Sequence, residues 1–109
     1  MSDYRFDTEN VRNAARELEK TGLFTESQIK EFTHWAEERF DGAVGISLRK
    51  GANVIGCAPQ VLERYVRLEW VYAGNRYGWS RFLPHDQLIK AKQIYDKNTA
   101  ARRAARGDE

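Results

Sequence analysis

Thr25 and Gln28 fix the start of one helix to a single residue. A threonine at the N-cap accepts a hydrogen bond from the backbone N–H three residues on. A glutamine at that third position accepts one back from the cap's own N–H. Phe24 and Ile29 stand at the two hydrophobic-staple positions around this pair. Ile29, Phe32, Ala36 and Phe40 then mark one helical face, with Lys30, Glu31, Glu37 and Glu38 opposite, and Gly42 is placed to end the helix. Trp35 lies beside the apolar stripe, where it would cap a core. An earlier helix is expected from a cap at Asp7 or Thr8 to about Lys20. Val11, Ala14, Ala15 and Leu18 give its apolar stripe and Gly22 its end, after an extended lead-in over residues 1–6.

The 109 residues fit one domain, and 41% hydrophobic with 31% charged residues is a globular balance. No apolar run approaches the ~20 residues that span a bilayer, and no apolar stretch follows a basic N-terminal flank, so neither membrane contact nor a secretory signal is expected. The single Cys57 excludes an internal disulfide framework and a multi-cysteine metal site. A cytoplasmic protein is the natural expectation. Residues 98–109 hold no large apolar side chain. The expected domain is therefore 1–97, with a basic, frayed or disordered tail behind it.

The middle of the chain is less determined. Residues 43–48 alternate like a strand, and Arg49 to Ile55 fit either a short helix or, with a Lys50-Gly51 turn, the return arm of a hairpin. Pro59 suits a first helical position, and Leu62, Tyr65, Val66 and Trp70 give an apolar face to a helix over 59–72. Residues 71–82 read as a hairpin with Gly74-Asn75 in the turn, closed by Leu83-Pro84. A last helix starts near His85 or Asp86 and carries Leu88, Ile89, Ala91, Ile94 and Tyr95.

One stretch narrows the choice. Ala52 is small where two helices would cross. Gly56 follows four residues later, where a turn must go left-handed. Ile55 and Cys57 flank that glycine, and Leu62 and Tyr65 are spaced to anchor a second helix on the first. Residues 48–67 thus resemble the helix-turn-helix of bacterial, phage and plasmid DNA-binding regulators. Two residues depart from the pattern: Gly51 stands where an aliphatic side chain is usual, and Ala58 where a capping Ser, Thr or Asp is common. The resemblance implies a mostly α-helical fold and a homodimer on double-stranded DNA. It implies base reading by Gln60, Glu63, Arg64 and Arg67. Glutamine suits adenine, arginine guanine and glutamate the cytosine amino group. Arg49 and Lys50 would lie near phosphates.

Charge and aromatic content agree with an anionic partner. The formal charge is −4 over residues 1–41, +4 over 42–81 and +2 over 82–109. Arg67, Trp70, Tyr72, Arg76, Tyr77, Trp79, Arg81 and Phe82 crowd into sixteen residues. In the helix-turn-helix setting their hairpin would be a wing, with Arg76 and Arg81 on the DNA backbone. The same residue types suit single-stranded nucleic acid, where bases stack on rings, or a protein partner of a small inhibitor or adaptor. About half of the rings are expected in the core.

Signs of catalysis are scarce. His34 and His85 have no partner at metal-ligand spacing, and Cys57 reads as a small apolar turn residue. Glu37 and Glu38 point to different sides of a helix, and no phosphate-cradling glycine motif occurs. The expectation is a DNA-binding transcription regulator with no catalytic residue, metal or cofactor.

Overall fold

The start of the second helix forms as its capping box predicts, but that helix is cut short by pairing with the strand that follows it, and the expected lead-in over 1–6 and cap at Asp7 or Thr8 lie outside the described residues. The computed structural model describes residues 9–39, 42–75 and 81–106. Helix α1 (Glu9–Thr21) buries Val11, Ala14 and Leu18. Helix α2 (Glu26–Trp35) opens with both hydrogen bonds of the capping box: Gln28 N–H to Thr25 Oγ1 at 3.1 Å, and Thr25 N–H to Gln28 Oε1 at 2.8 Å.

The end of α2 corrects the expectation of a helix reaching Gly42. Ala36 turns extended (φ −64°, ψ 144°), and Glu37–Glu38 form strand β1. Their partners are Gly45 and Val44 in strand β2 (Val44–Ser47). This ladder meets the backbone's hydrogen-bonding needs in place of another helical turn. Gly42 (φ 81°) closes the turn between the two strands, with its N–H bonded to Arg39 O at 2.9 Å. Phe40 lies outside the described residues.

The ambiguous stretch after Gly42 is strand and helix in succession. β2 runs directly into helix α3 (Leu48–Ile55), whose N-cap Ser47 accepts from Lys50 N–H at 3.2 Å. Lys50 and Gly51 sit inside α3, so the alternative hairpin turn there does not form. Helix α4 (Pro59–Arg67) follows the Gly56-Cys57-Ala58 turn.

α4 stops five residues before the expected boundary at 72, and its end explains why. Glu69 adopts a left-handed conformation (φ 64°). Its N–H bonds Val66 O at 3.0 Å, while Trp70 N–H reaches Tyr65 O at 2.9 Å. This is a Schellman cap with a non-glycine residue at its left-handed position. The Trp70 ring packs on the Tyr65 ring, centroids 5.7 Å apart, which supplies the apolar contact such caps favour. Trp70 is consequently 44% exposed and not a buried continuation of the α4 face.

Strand β3 (Gly74–Asn75) pairs with strand β4 (Arg81–Pro84), Gly74 opposite Phe82 and Asn75 opposite Arg81. Gly74 and Asn75 therefore belong to a strand and not to the turn expected there. The connecting residues 76–80, with Arg76, Tyr77 and Trp79, lie outside the described residues. β4 also pairs with β2, setting Ile46 opposite Leu83, and completes an antiparallel sheet in the order β1-β2-β4-β3.

Helix α5 (His85–Arg106) starts where expected and runs past residue 97. No glycine or proline interrupts it, and residues 98–106 are rich in Ala and Arg, two of the strongest helix formers. The fold is mostly α-helical, with this small sheet among the helices. Phe32, Ile46, Leu62, Leu83 and Leu88 meet in one core, each at most 1% exposed. No described helix is long and apolar enough to cross a membrane.

Candidate nucleic-acid interface

The α3–α4 unit is held together at its turn. Gly56 is left-handed (φ 92°), and its N–H bonds Ala52 O at 2.8 Å. Cys57 N–H shares the same acceptor at 3.0 Å. A Cβ at position 56 would touch nothing within 4 Å, so the backbone conformation alone calls for glycine there. Ala58 is extended and gives α4 no side-chain cap. Ala52, Ile55, Leu62 and Tyr65 are all buried between and beneath the two helices.

Gly51 turns out to be a fitted residue. A Cβ there would lie 2.9 Å from Leu83 Cδ2 and 3.6 Å from Leu62 Cδ1. The volume that an aliphatic side chain on α3 would fill is taken by Leu83 from β4. Packing of the unit onto the sheet thus stands in for packing from within α3.

With Leu62 and Tyr65 turned inward, the opposite face of α4 presents Gln60, Glu63, Arg64 and Arg67, all exposed. Among the described residues none of these four side chains is held by a hydrogen bond or ion pair. A helix face carrying two arginines, a glutamine and a glutamate offers donors and acceptors at full reach. Arg49 is exposed on α3, and Arg81 is exposed at the start of β4. Lys50 is partly withdrawn: its Nζ sits 3.7 Å from the centroid of the Trp35 ring, a cation–π contact that joins α3 to α2. Arg76 lies outside the described residues.

No signal in the sequence singles out Arg39. Its guanidinium lies 4.8 Å over the Phe82 ring and close to Gly74, so a cation from the β1–β2 turn crosses the sheet toward β3. Arg39 sits in the acidic first third of the chain, and only the strand order brings it here.

The titratable groups in contact among the described residues form isolated pairs, such as Lys92 with Asp96 at 2.8 Å. Cys57 is half-buried, and burial pushes its thiol up to about 11. Burial also raises the Tyr65 phenol, against a smaller opposing effect of Asn98 on α5. His85 Nε2 meets Glu17 Oε1 at 2.7 Å, and His34 stands edge-on to Trp35. Among the described residues no His, Cys, Asp and Glu cluster could hold a metal ion. Beyond α4, a cleft of about 510 Å³ opens between Glu69, Trp70, Tyr72, Gln87 and Lys90. Leu68 and Tyr72 are exposed at 48% and 67%. Comparison with family models, with curated proteins and with solved structures gives no match.

Proposed function

We propose that the chain is a sequence-specific double-stranded DNA-binding protein, a transcription regulator that lays α4 in the major groove. The observation carrying this reading is the α4 face itself. Gln60, Glu63, Arg64 and Arg67 project, with no partner among the described residues, from a short helix whose other side is locked to α3 and, through Gly51, to the sheet. Base reading needs such side chains on a rigid support, because they must meet base edges within hydrogen-bonding distance. Arg49 would hold a phosphate, and Arg81 would bring the β3–β4 hairpin to the backbone as a wing. Lys50 must leave Trp35, at least in part, to join them. Two copies of the chain would read two half-sites.

In-vitro selection of randomised duplexes by the purified protein, with Arg64→Ala alongside, tests this. A site enriched by the wild type and blurred at one position by the variant supports the reading. A folded protein that enriches nothing overturns it.

A second reading follows from a different surface. Trp70 and Tyr72 are large, exposed and line the 510 Å³ cleft, and Leu68 is exposed close by in the chain. Aromatic side chains in that setting favour a protein partner. Trp70→Ala with Tyr72→Ala would then abolish capture of a partner while leaving duplex selection unchanged.

A further inference from the structure

Trp70 and Tyr72 are exposed on one cleft, yet both are held in place. The Trp70 ring rests on Tyr65, centroids 5.7 Å apart. The Tyr72 backbone N–H donates to Gln87 Oε1 on α5 at 2.8 Å. The Tyr72 ring covers Gly74, where a Cβ would stand 3.4 Å from the hydroxyl and 3.8 Å from Cε2. Exposed rings that are already fixed lose little conformational entropy on burial, as the anchors of a protein interface require. Their exposed parts amount to roughly 250 Å². That suits the apolar centre of an interface to which each partner gives about 800 Å².

The rim of the cleft selects the partner. Glu69, just past the end of α4, and Lys90, on α5, both line it and are both exposed. Among the described residues neither side chain is held by a hydrogen bond or ion pair. Glu69 also holds the left-handed cap position (φ 64°), where glycine is usual and less costly. A carboxylate is thus kept at a strained position without a described partner inside the chain, a pattern that suits a contact made outside it. One acid and one base beside an apolar centre make a surface complementary to itself. A two-fold axis sets each acid against the base of the other copy. A strongly acidic or strongly basic partner would leave one of the two facing its own sign.

We infer that a second copy of this chain occupies the cleft, in a two-fold dimer that buries Trp70 and Tyr72 of both copies and pairs Glu69 of each with Lys90 of the other. The inference rests on the reading of this surface as one that binds protein. Gln60, Glu63, Arg64 and Arg67 do not line the cleft, so the dimer contact and the exposed face of α4 are separate surfaces. Loss of the dimer would therefore separate two half-sites without changing the bases read in each.

The test is sedimentation equilibrium of the full-length chain without DNA, between about 1 and 100 µM, where a dimer shows as a mass that rises with concentration. The wild type is expected to dimerise in this range. Tyr72→Ala should weaken self-association about tenfold or more. Glu69→Lys and Lys90→Glu each set like charges together twice per dimer, so each should weaken it about tenfold. An equal mixture of these two variants should regain the wild-type mass, because both rim contacts are then between opposite charges. The double variant Glu69→Lys/Lys90→Glu should regain it alone. The far-ultraviolet helix signal should be unchanged throughout, and the charge variants decide the matter if Tyr72→Ala does not fold.

A wild type that stays monomeric at about 100 µM overturns the inference. A dimer that the charge variants leave intact overturns it too, as does a loss in the single variants that neither the mixture nor the double variant repairs. If a monomeric wild type captures a different protein and Tyr72→Ala abolishes that capture, the protein-binding reading survives and the second copy is not the partner. If neither self-association nor capture depends on Tyr72, both fall.

Discussion

Lys50 and Trp35 are joined face to face, the ammonium 3.7 Å from the ring centroid, and this contact ties the first helix of the candidate interface to the N-terminal pair. Arg49, its neighbour in sequence, is exposed and makes no such contact among the described residues. Two adjacent cations should therefore behave differently. Arg49→Ala should weaken binding to all duplexes alike and lower the salt slope by about 1, with stability unchanged. Lys50→Ala should cost about 0.5–1 kcal/mol in urea unfolding, the usual worth of a cation–π contact near the surface. Equal effects of the two on stability would contradict the assignment.

Gly51 and Gly56 lie on one short segment and should fail for opposite reasons. Gly51→Val drives a branched side chain into Leu83, so overpacking of about 1–3 kcal/mol is expected. Gly56→Ala meets no atom but must hold a left-handed backbone, at about 1–2 kcal/mol. Leu83→Ala, a core truncation, should cost less in the Gly51→Val background than in the wild type, and the same in the Gly56→Ala background as in the wild type. Equilibrium unfolding of the single and double variants beside the wild type and Leu83→Ala decides it.

Glu69 offers a gain. It is exposed and holds a positive φ at the Schellman cap of α4. Glu69→Gly should raise stability by up to about 1 kcal/mol, because glycine takes that conformation without strain. A loss would mean that the Glu69 side chain stabilises the fold in some way other than its backbone geometry.

Cys57 gives the pH dependence. Burial raises its thiol to about 11 from the ordinary 9.0. The folded protein keeps the proton that the unfolded chain releases first. Stability is therefore unaffected by this group below pH 9 and falls as pH rises from 9 towards 11. Alkylation by iodoacetamide should be slow in the folded protein at pH 8 and should rise with a midpoint near 11. In urea the midpoint should return to about 9. A folded midpoint at or below 9 would place Cys57 in a polar, accessible setting.

Much of this was legible where a signal is complete within a few residues. The α2 start needs only Thr25, Gln28 and their neighbours, and the α4 start needs only Pro59. The face of Gln60, Glu63, Arg64 and Arg67 follows from knowing which side Leu62 and Tyr65 bury. What escaped depends on partners outside the segment that carries the local signal. Glu37 and Glu38 suit a helix until Val44 and Gly45 pair with them. Gly51 looks like a defect until Leu83 arrives from β4. Arg39 lies near Gly74 only because of the strand order. The α4 end was hidden for another reason: the residue that turns left-handed is a glutamate, and nothing in its type announces it.

The pairing of β2 with β4 has a consequence for how the molecule opens. Gly45 to Ser47 lie just before α3, and Phe82 to Pro84 lie in β4, just before α5. One short ladder therefore fastens both ends of the stretch 48–81, which holds α3, α4 and β3. This stretch cannot peel away from either end as a frayed terminus can. It departs only when the ladder breaks, and Ile46 and Leu83 are fully buried within that ladder. The amide protons of Ile46 and Leu83 should exchange with solvent only through global unfolding, while those near Arg102 exchange through local fraying. The candidate interface is, in this sense, a closed loop, as durable as the fold that clasps it.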